Sequence, residues 1–187
     1  MGKLVVSEFV TLDGVVEDPG GAEAFDRGGW AFQFERGPEG DKFKLDEVMA
    51  ADALLLGRVT YEGFAEAWPS RTGEFADKMN GMPKYVVSRT LRDPSWANTT
   101  VVEGDLAEAV TRLKHEFEGE ILVAGSVQLV RALFDQGLVD ELRLMVYPTA
   151  LGAGKRLFAD AGAPIPLRLT ESRPAGDTLI MILERAR

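Results

Sequence analysis

The spacing of apolar residues along the chain predicts strands that alternate with helices. Short apolar runs predict strands at residues 3–9, 53–56, 84–88, 120–124 and 141–147. Apolar positions three and four residues apart predict helices at residues 41–51, 60–67, 105–118 and 127–136, with a shorter helical piece near 75–79. Two alternating strands, 167–172 and 178–183, flank a turn and predict an antiparallel hairpin.

This order of elements predicts an α/β fold. Strands that alternate with helices usually form a parallel sheet that is covered by helices on both faces. We therefore expect a three-layer α/β/α arrangement around a mixed sheet, mostly parallel, with an antiparallel C-terminal hairpin. No linker or internal repeat interrupts the 187 residues, so one domain over residues 1–187 is predicted.

Polar residues and glycines next to the two clearest helices are typical of helix ends. Asp105 and Ser126 stand at the two starts, where their side chains are expected to cap the first turn. Gly137 follows the second helix and is expected to end it.

Composition excludes several kinds of chemistry. The formal net charge of −9 argues against nucleic-acid binding, which needs a basic face. The chain has no cysteine and a single histidine, His115, which lies off the apolar face of its helix, so no metal site is predicted. No apolar run approaches the length of a membrane span and no signal segment is recognisable. We expect a cytoplasmic protein that does not bind membranes.

Three strand ends carry residues suited to binding phosphate. Two of the turns contain an arginine and two open a helix, whose first N–H groups are unpaired and lie at the positive end of the helix dipole. The turns are Gly57-Arg58-Val59-Thr60, Ser88-Arg89 and Gly125-Ser126. Because ligands of open α/β sheets bind outside the carboxyl ends of the strands, the three turns together predict a dinucleotide along that edge.

Two common phosphate-binding motifs are absent from the sequence. No strand runs into G-x-G-x-x-G. The segment Gly152-Ala153-Gly154-Lys155 is not a Walker loop, because Thr149 and Arg156 stand where that motif requires a glycine and a serine or threonine. We interpret residues 151–158 as a structural turn.

The turns, in this order, resemble the dihydrofolate-reductase-like superfamily. The closer resemblance is to the C-terminal reductase domain of bifunctional riboflavin-biosynthesis deaminase-reductases, including its stand-alone members. The similar segments cover nearly the whole chain: Thr11-Leu12-Asp13-Gly14, Leu55 to Glu62, Val87-Ser88-Arg89, Ala124-Gly125-Ser126, Asp140-Glu141-Leu142, and Pro148 through Gly152-Ala153-Gly154-Lys155-Arg156-Leu157-Phe158.

The resemblance implies binding of NADPH. By the family pattern, Gly57, Arg58 and Thr60 lie at the adenosine phosphates, Ser88 and Arg89 at the 2′-phosphate, and Gly125, Ser126, Val127 and Gln128 at the pyrophosphate. Thr11, Leu12, Asp13 and Gly14 lie where similar proteins contact nicotinamide and substrate. Two arginines favour NADPH over NADH, since a guanidinium matches phosphate in charge and geometry.

Hydride transfer also needs a proton source, which here must be a carboxyl, a hydroxyl or water. Asp13 is a candidate, although Asp-Gly is also a common turn pair. In dihydrofolate reductases a helix carboxylate binds the pterin, and Asp41 lies at a matching distance before Gly57; capping of the helix is the favoured alternative for Asp41. Asp46 and Glu47 are further candidates, with a solvated helix surface as the alternative.

The glycine-rich region up to residue 40 contains several aromatic residues. Trp30 is predicted to contact substrate as part of a lid, and satellite packing is the alternative. Arg27 and Arg36 are the local cations for a phosphorylated substrate, which the resemblance to the riboflavin pathway requires.

These observations predict an NADPH-dependent reductase that transfers a hydride to a small pterin-, pyrimidine- or carbonyl-type substrate. The partner deaminase motif, which needs cysteines, is absent from the chain. The alternative is a nucleotide-binding sensor or sequestering protein without turnover. The resemblance also implies a homodimer, with residues 138–147 or the terminal hairpin as the interface.

Overall fold

The structure is a computed structural model that describes residues 1–158 and 162–186. This part of the chain contains one eight-stranded sheet. Its strands are β1 (Lys3–Thr11), β2 (Ala51–Gly57), β3 (Lys84–Val87), β4 (Thr99–Val102), β5 (Glu120–Ala124), β6 (Glu141–Tyr147), β7 (Leu167–Ala175) and β8 (Thr178–Arg185).

The strand order is β4-β3-β2-β5-β1-β6-β8-β7. All pairs from β4 to β6 are parallel, whereas β8 runs antiparallel to both β6 and β7. The helices are α1 (Gly37–Ala50), α2 (Arg58–Ala67), α3 (Glu74–Gly81), α4 (Leu106–Glu116) and α5 (Val127–Asp135), with a 3₁₀ turn at Trp30–Gln33. The predicted mixed α/β sheet with an antiparallel hairpin is confirmed.

Two hydrophobic clusters place the helices on opposite faces of the sheet. Val48 of α1, Tyr61 of α2 and Met79 of α3 pack with Leu54 on one face. The other face is covered by α4 and α5, and its cluster contains the following buried side chains: Leu4, Val6, Leu55, Val110, Leu113, Ile121, Val130 and Leu133. Burial of both faces explains why the central strands are apolar at successive positions.

An ionic cluster joins β1, β5 and β6 beneath helix α1. The guanidinium of Arg143 donates to both carboxylate oxygens of Glu120, at 2.6 and 3.0 Å, and to Glu141 at 2.6 Å. Its side chain is 12% exposed, and Glu47 of α1 lies 3.8 Å away. Buried charges of this kind must remain paired, because an isolated ion in the interior is strongly unfavourable.

The helix ends agree with the sequence predictions in two cases and differ in two others. Asp105 accepts the N–H of Glu108 at 2.9 Å, and Gly137 follows α5 with φ 66°, both as predicted. The predicted side-chain cap at Ser126 is wrong, since Ser126 makes no such bond to α5. The capping interpretation of Asp41 is also wrong, because α1 begins one turn earlier, at Gly37.

The connections of β1 and β5 leave the sheet on opposite faces. The chain passes from β1 through α1 to β2 on one side, and from β5 through α5 to β6 on the other. These two strands are neighbours, so a crevice opens between them at their carboxyl ends. None of the helices in residues 1–158 and 162–186 is long and apolar enough to cross a membrane.

Candidate cofactor site and active site

The crevice between β1 and β5 exists because the two strands differ in length. Their register ends where Ser7 lies opposite Ala124, while β1 continues to Thr11. After Ala124 the chain turns away at Gly125 and enters α5. The last four residues of β1 therefore pair with β6 but not with β5.

Backbone directions along β1 leave the N–H and C=O of Phe9 facing this crevice. Lys3 donates its N–H to the carbonyl of Gly119, just before β5, at 2.9 Å. Successive residues of a strand direct their backbone N–H and C=O groups to opposite neighbouring strands. The N–H and C=O of Phe9 therefore face the same side as those of Lys3. No residue of β5 is in register with Phe9. One donor beside one acceptor matches the amide group of a ligand.

Two helix N-termini meet at this edge and are bonded to each other. Neither α2 nor α5 has a side-chain cap. The N–H of Gly57 donates to the hydroxyl of Ser126 at 2.9 Å, and the N–H of Ser126 donates to the hydroxyl of Thr60 at 2.9 Å. Unpaired N–H groups and two positive dipole ends at one place favour an anion.

The turn between β5 and α5 holds an unusual backbone conformation. Gly125 and Ser126 both have positive φ values, of 57° and 61°. A Cβ atom at residue 125 would lie 3.0 Å from the hydroxyl oxygen of Thr60, so a glycine fits closely there. A non-glycine residue in this region is strained, as at Ser126, and such strain is concentrated at functional sites. Val127 and Gln128, predicted to bind pyrophosphate, form the partly exposed first turn of α5.

The predicted phosphate-binding arginines lie at the same edge in different surroundings. Arg58 is the first residue of α2 and pairs with Glu62 at 3.0 Å, with 44% of the arginine side chain exposed. Arg89 is exposed and is the second residue after β3. The hydroxyl of Ser88 accepts the N–H groups of Thr90 and Leu91 at 3.1 and 2.9 Å, which fixes the turn that presents Arg89.

Asp13 braces two loops at the end of β1. Its carboxylate accepts hydrogen bonds from the Thr11 hydroxyl at 2.6 Å, from the N–H of Leu151 at 3.1 Å and from the N–H of Gly152 at 2.7 Å. The bond from Thr11, with those from the two N–H groups, lowers the pKa of Asp13 to about 2. This ionised carboxylate is well placed to hold the turn and poorly suited to donate a proton.

The remaining residues of this turn are held by the segment after β6. Gly14, with φ 83°, accepts the N–H of Leu157 at 2.9 Å, and Val15 pairs with Arg156. Residues 151–158 thus act as the brace of the turn. Leu12 projects from it with 68% exposure. Together with Thr11, Gly14 and Arg156, it lines an apolar pocket of about 320 Å³ on the α5 side of β1.

Asp41 lies on the exposed side of α1 rather than in the crevice. Its carboxylate accepts a hydrogen bond from Arg36 at 2.6 Å, and 66% of its side chain is exposed. The guanidinium carbon of Arg36 in turn lies 5.8 Å from the centre of the Phe9 ring. The pair therefore borders the α1 side of the site from the surface.

Trp30 supports an aromatic cluster instead of covering the site. It is 1% exposed, its Nε1 donates to the carbonyl of Glu17 at 2.9 Å, and its ring meets that of Tyr147 edge to face at 5.3 Å. Tyr147 also meets Phe9 and Phe34 edge to face. These contacts favour satellite packing, the alternative interpretation of the loop aromatics.

Three acidic or basic residues beneath the site were missed or misread from the sequence. Glu47 is 3% exposed and pairs with Lys44, whose amino group donates to Ser7 at 2.8 Å. Its predicted alternative, a solvated helix surface, is wrong because Glu47 faces the sheet. Glu8 of β1 is 5% exposed, and the sequence pattern did not indicate its burial. The signal that could have identified these residues is their position on the buried faces of α1 and β1. Residues 1–158 and 162–186 contain no acidic or histidine cluster that would hold a metal.

Comparisons with known proteins agree with this architecture. The chain is 26% identical over 186 residues to the uncharacterized protein YyaP of Bacillus subtilis strain 168, covering 97% of this chain and 93% of that protein. A putative riboflavin biosynthesis protein from Shewanella sp. PV-4 has the same fold, with a TM-score of 0.78, 20% identity and 99% coverage of both chains. Dihydrofolate reductase from Enterococcus faecalis, solved with NADP(H), matches with a TM-score of 0.63 and 13% identity over 99% of this chain and 97% of that one.

The sequence model of one family extends over almost the entire chain. It matches residues 2–181, from the start of β1 into β8. The match includes all three turns at the carboxyl edge of the sheet and the segment that braces Asp13. The chain belongs to the RibD C-terminal domain family.

Proposed function

We propose that the protein is an NADPH-dependent reductase that acts on a C=N or C=O group of a small pterin-, pyrimidine- or carbonyl-type substrate. The observation that carries the proposal is the pair of uncapped helix N-termini, joined through Thr60 and Ser126, at the crevice between β1 and β5. Membership of the RibD C-terminal domain family and the shared fold of dihydrofolate reductase, solved with NADP(H), support it.

The residues of this edge fit the parts of NADPH. The first turn of α5, at Val127 and Gln128, offers N–H groups for the pyrophosphate, and Arg58 and Thr60 offer a cation and a hydroxyl for the adenosine phosphates. Arg89 offers a guanidinium for the 2′-phosphate. When bound, NADPH supplies the hydride. The chain holds and orients it, and the backbone of Phe9 suits its carboxamide.

Cofactor binding tests this assignment directly. Isothermal titration is expected to show tighter binding of NADPH than of NADH. Arg89→Ala and Arg58→Ala should each weaken the binding of NADPH about tenfold, because a charge-assisted hydrogen bond is lost. Both substitutions should weaken the binding of NADH less. Arg112→Ala, at an exposed position of α4, is the matched control and should change neither. Equal weakening of NADPH and NADH binding would contradict the assignment of these arginines to the 2′-phosphate.

The second candidate function is a nucleotide-binding sensor or sequestering protein. The state of the two predicted catalytic acids favours it, since Asp13 is ionised and Asp41 is exposed in an ion pair. The absorbance of NADPH, measured over time in the presence of dihydrofolate, a ribosylaminopyrimidine or a quinone, distinguishes the two functions. Tight NADPH binding without any loss of absorbance would support the sensor. The homodimer and the cytoplasmic location stay predictions.

A further inference from the structure

Glu8 is a buried carboxyl group beside the crevice. It is the first residue of β1 beyond Ser7, the last residue paired with β5. It is 5% exposed, and within residues 1–158 and 162–186 its Oε1 has no hydrogen-bond partner. Burying an unpaired charge is strongly unfavourable, so such a group keeps its proton.

The charged groups that act on Glu8 lie on α1 and in the loop after β1. Alternate residues of β1 face opposite sides of the sheet, so α1, which contacts Ser7, lies across the sheet from the Glu8 side chain. Lys44 is the nearby cation, but its amino group is already paired with Glu47. Glu23 and Glu47 are the nearby carboxylates. Burial raises the pKa of Glu8 well above its usual range; Lys44 opposes this shift, and the two carboxylates add to it. Burial therefore favours the protonated, neutral form of the Glu8 carboxyl group.

The other carboxylates named at this edge are engaged in hydrogen bonds or ion pairs. Asp13 is ionised, Asp41 is exposed and paired with Arg36, and Glu47 is paired with Lys44. His115 is exposed on α4, away from the carboxyl edge, and the chain has no cysteine. We propose that Glu8 is the acid that delivers the proton to the substrate during reduction, an inference that rests on the proposed reductase function.

The step balances with NADPH as the reductant. The hydride goes to the electrophilic carbon of the C=N or C=O group, and the π-electron pair moves to its nitrogen or oxygen. That atom takes the carboxyl proton of Glu8, the Glu8 O–H bond breaks, and the carboxylate regains a proton from water. NADPH, one proton and the substrate give NADP⁺ and the reduced substrate.

The protonation state of Glu8 is measurable without cofactor or turnover. Carbon-13 NMR of glutamate side-chain carboxyls, with Glu8→Gln to identify the signal, is expected to show Glu8 protonated at pH 7. Glu23→Gln removes a nearby negative charge and should lower the titration midpoint of Glu8, whereas Lys44→Met should raise it. A Glu8 signal that is already ionised at pH 7 would overturn the proposal.

Turnover then tests the role of the proton. Glu8→Gln keeps the shape and neutrality of the side chain, so NADPH affinity should stay within about twofold, while NADPH oxidation should fall about a hundredfold. The wild-type rate should fall above the Glu8 midpoint measured by NMR, and Glu23→Gln should move that fall to lower pH. Full activity of Glu8→Gln would overturn the proposed role of Glu8 but would leave the proposed reductase function intact. NADPH binding without wild-type turnover overturns both.

Discussion

The hydroxyl of Thr60 accepts the backbone N–H of Ser126 at 2.9 Å. This single bond joins the start of α2 to the residue that opens α5, across 66 positions of sequence. Ser126 completes the link by accepting the N–H of Gly57. The two helix N-termini are therefore positioned as one unit before any ligand arrives, which lowers the cost of ordering them on binding.

Replacing Thr60 by valine should weaken this unit. The variant has nearly the same shape but leaves the N–H of Ser126 without its acceptor, and we expect a loss of about 1–3 kcal/mol in the free energy of unfolding. NADPH affinity should fall as well. Urea unfolding and calorimetric titration measure the two effects, and Thr60→Ser should keep both near wild type. A valine variant with unchanged stability and affinity would contradict the role of the bond.

If Arg58 binds phosphate as proposed, Glu62 competes with that phosphate for the guanidinium. The two side chains form an ion pair four residues apart on α2, and about half of each is exposed. Such pairs contribute about 0.3–0.5 kcal/mol, so Glu62→Gln is expected to tighten NADPH about twofold. The gain should shrink as salt concentration rises. NADH is the control ligand, and weaker NADPH binding by the variant would show instead that Glu62 orients Arg58.

Asp13 should make the protein sensitive to acid. Its pKa is lowered to about 2 in the folded chain, so its stabilising effect is complete above its unfolded pKa of about 4. The effect is lost as the pH falls from about 4 towards 2, because the folded state must then take up the proton. Asp13→Asn should lower the urea midpoint at pH 7, and its difference from wild type should shrink towards pH 2. A difference that is constant with pH would refute this assignment.

Arg143 should be the most sensitive of the ionic residues. Arg143→Met leaves Glu120 and Glu141 without their shared cation in a buried place, and we expect a loss of about 3–5 kcal/mol in unfolding free energy. Arg168→Met is the matched control. It breaks an exposed pair with Glu184 and should cost less than about 1 kcal/mol. Similar losses of unfolding free energy in the two variants would mean that burial does not determine how much an ion pair contributes to stability.

The sequence was most informative where local pattern determines structure. The strand Glu120–Ala124 and the strand Glu141–Tyr147 have the predicted bounds, because apolar runs ended by polar residues or glycines define them. The edge strand Thr99–Val102 was missed, since a short strand among polar residues has no clear apolar pattern. The start of α1 was missed because the segment Gly37 to Gly40 has the composition of a turn.

The candidate site likewise has features that local sequence pattern predicts and features that it does not. Turns such as Gly57-Arg58 and Gly125-Ser126 were recognisable because local backbone conformation and residue type define them. The contact between Thr60 and Ser126 depends on the order of strands in the sheet, which local pattern does not encode. The burial of Glu8 and Glu47 has the same origin, so the sequence did not indicate that these two carboxylates are buried.

The early end of β5 has a consequence for how the site responds to mutation. Four residues of β1 extend past it, which at about 3.3 Å per residue gives a wall about 13 Å long that is not paired with β5. A side-chain substitution in this wall changes shape or charge but leaves the N–H and C=O of Phe9 in place. Ligand binding through these two groups, as proposed, would therefore tolerate most substitutions at residue 9, and only proline, which has no N–H, would remove the donor.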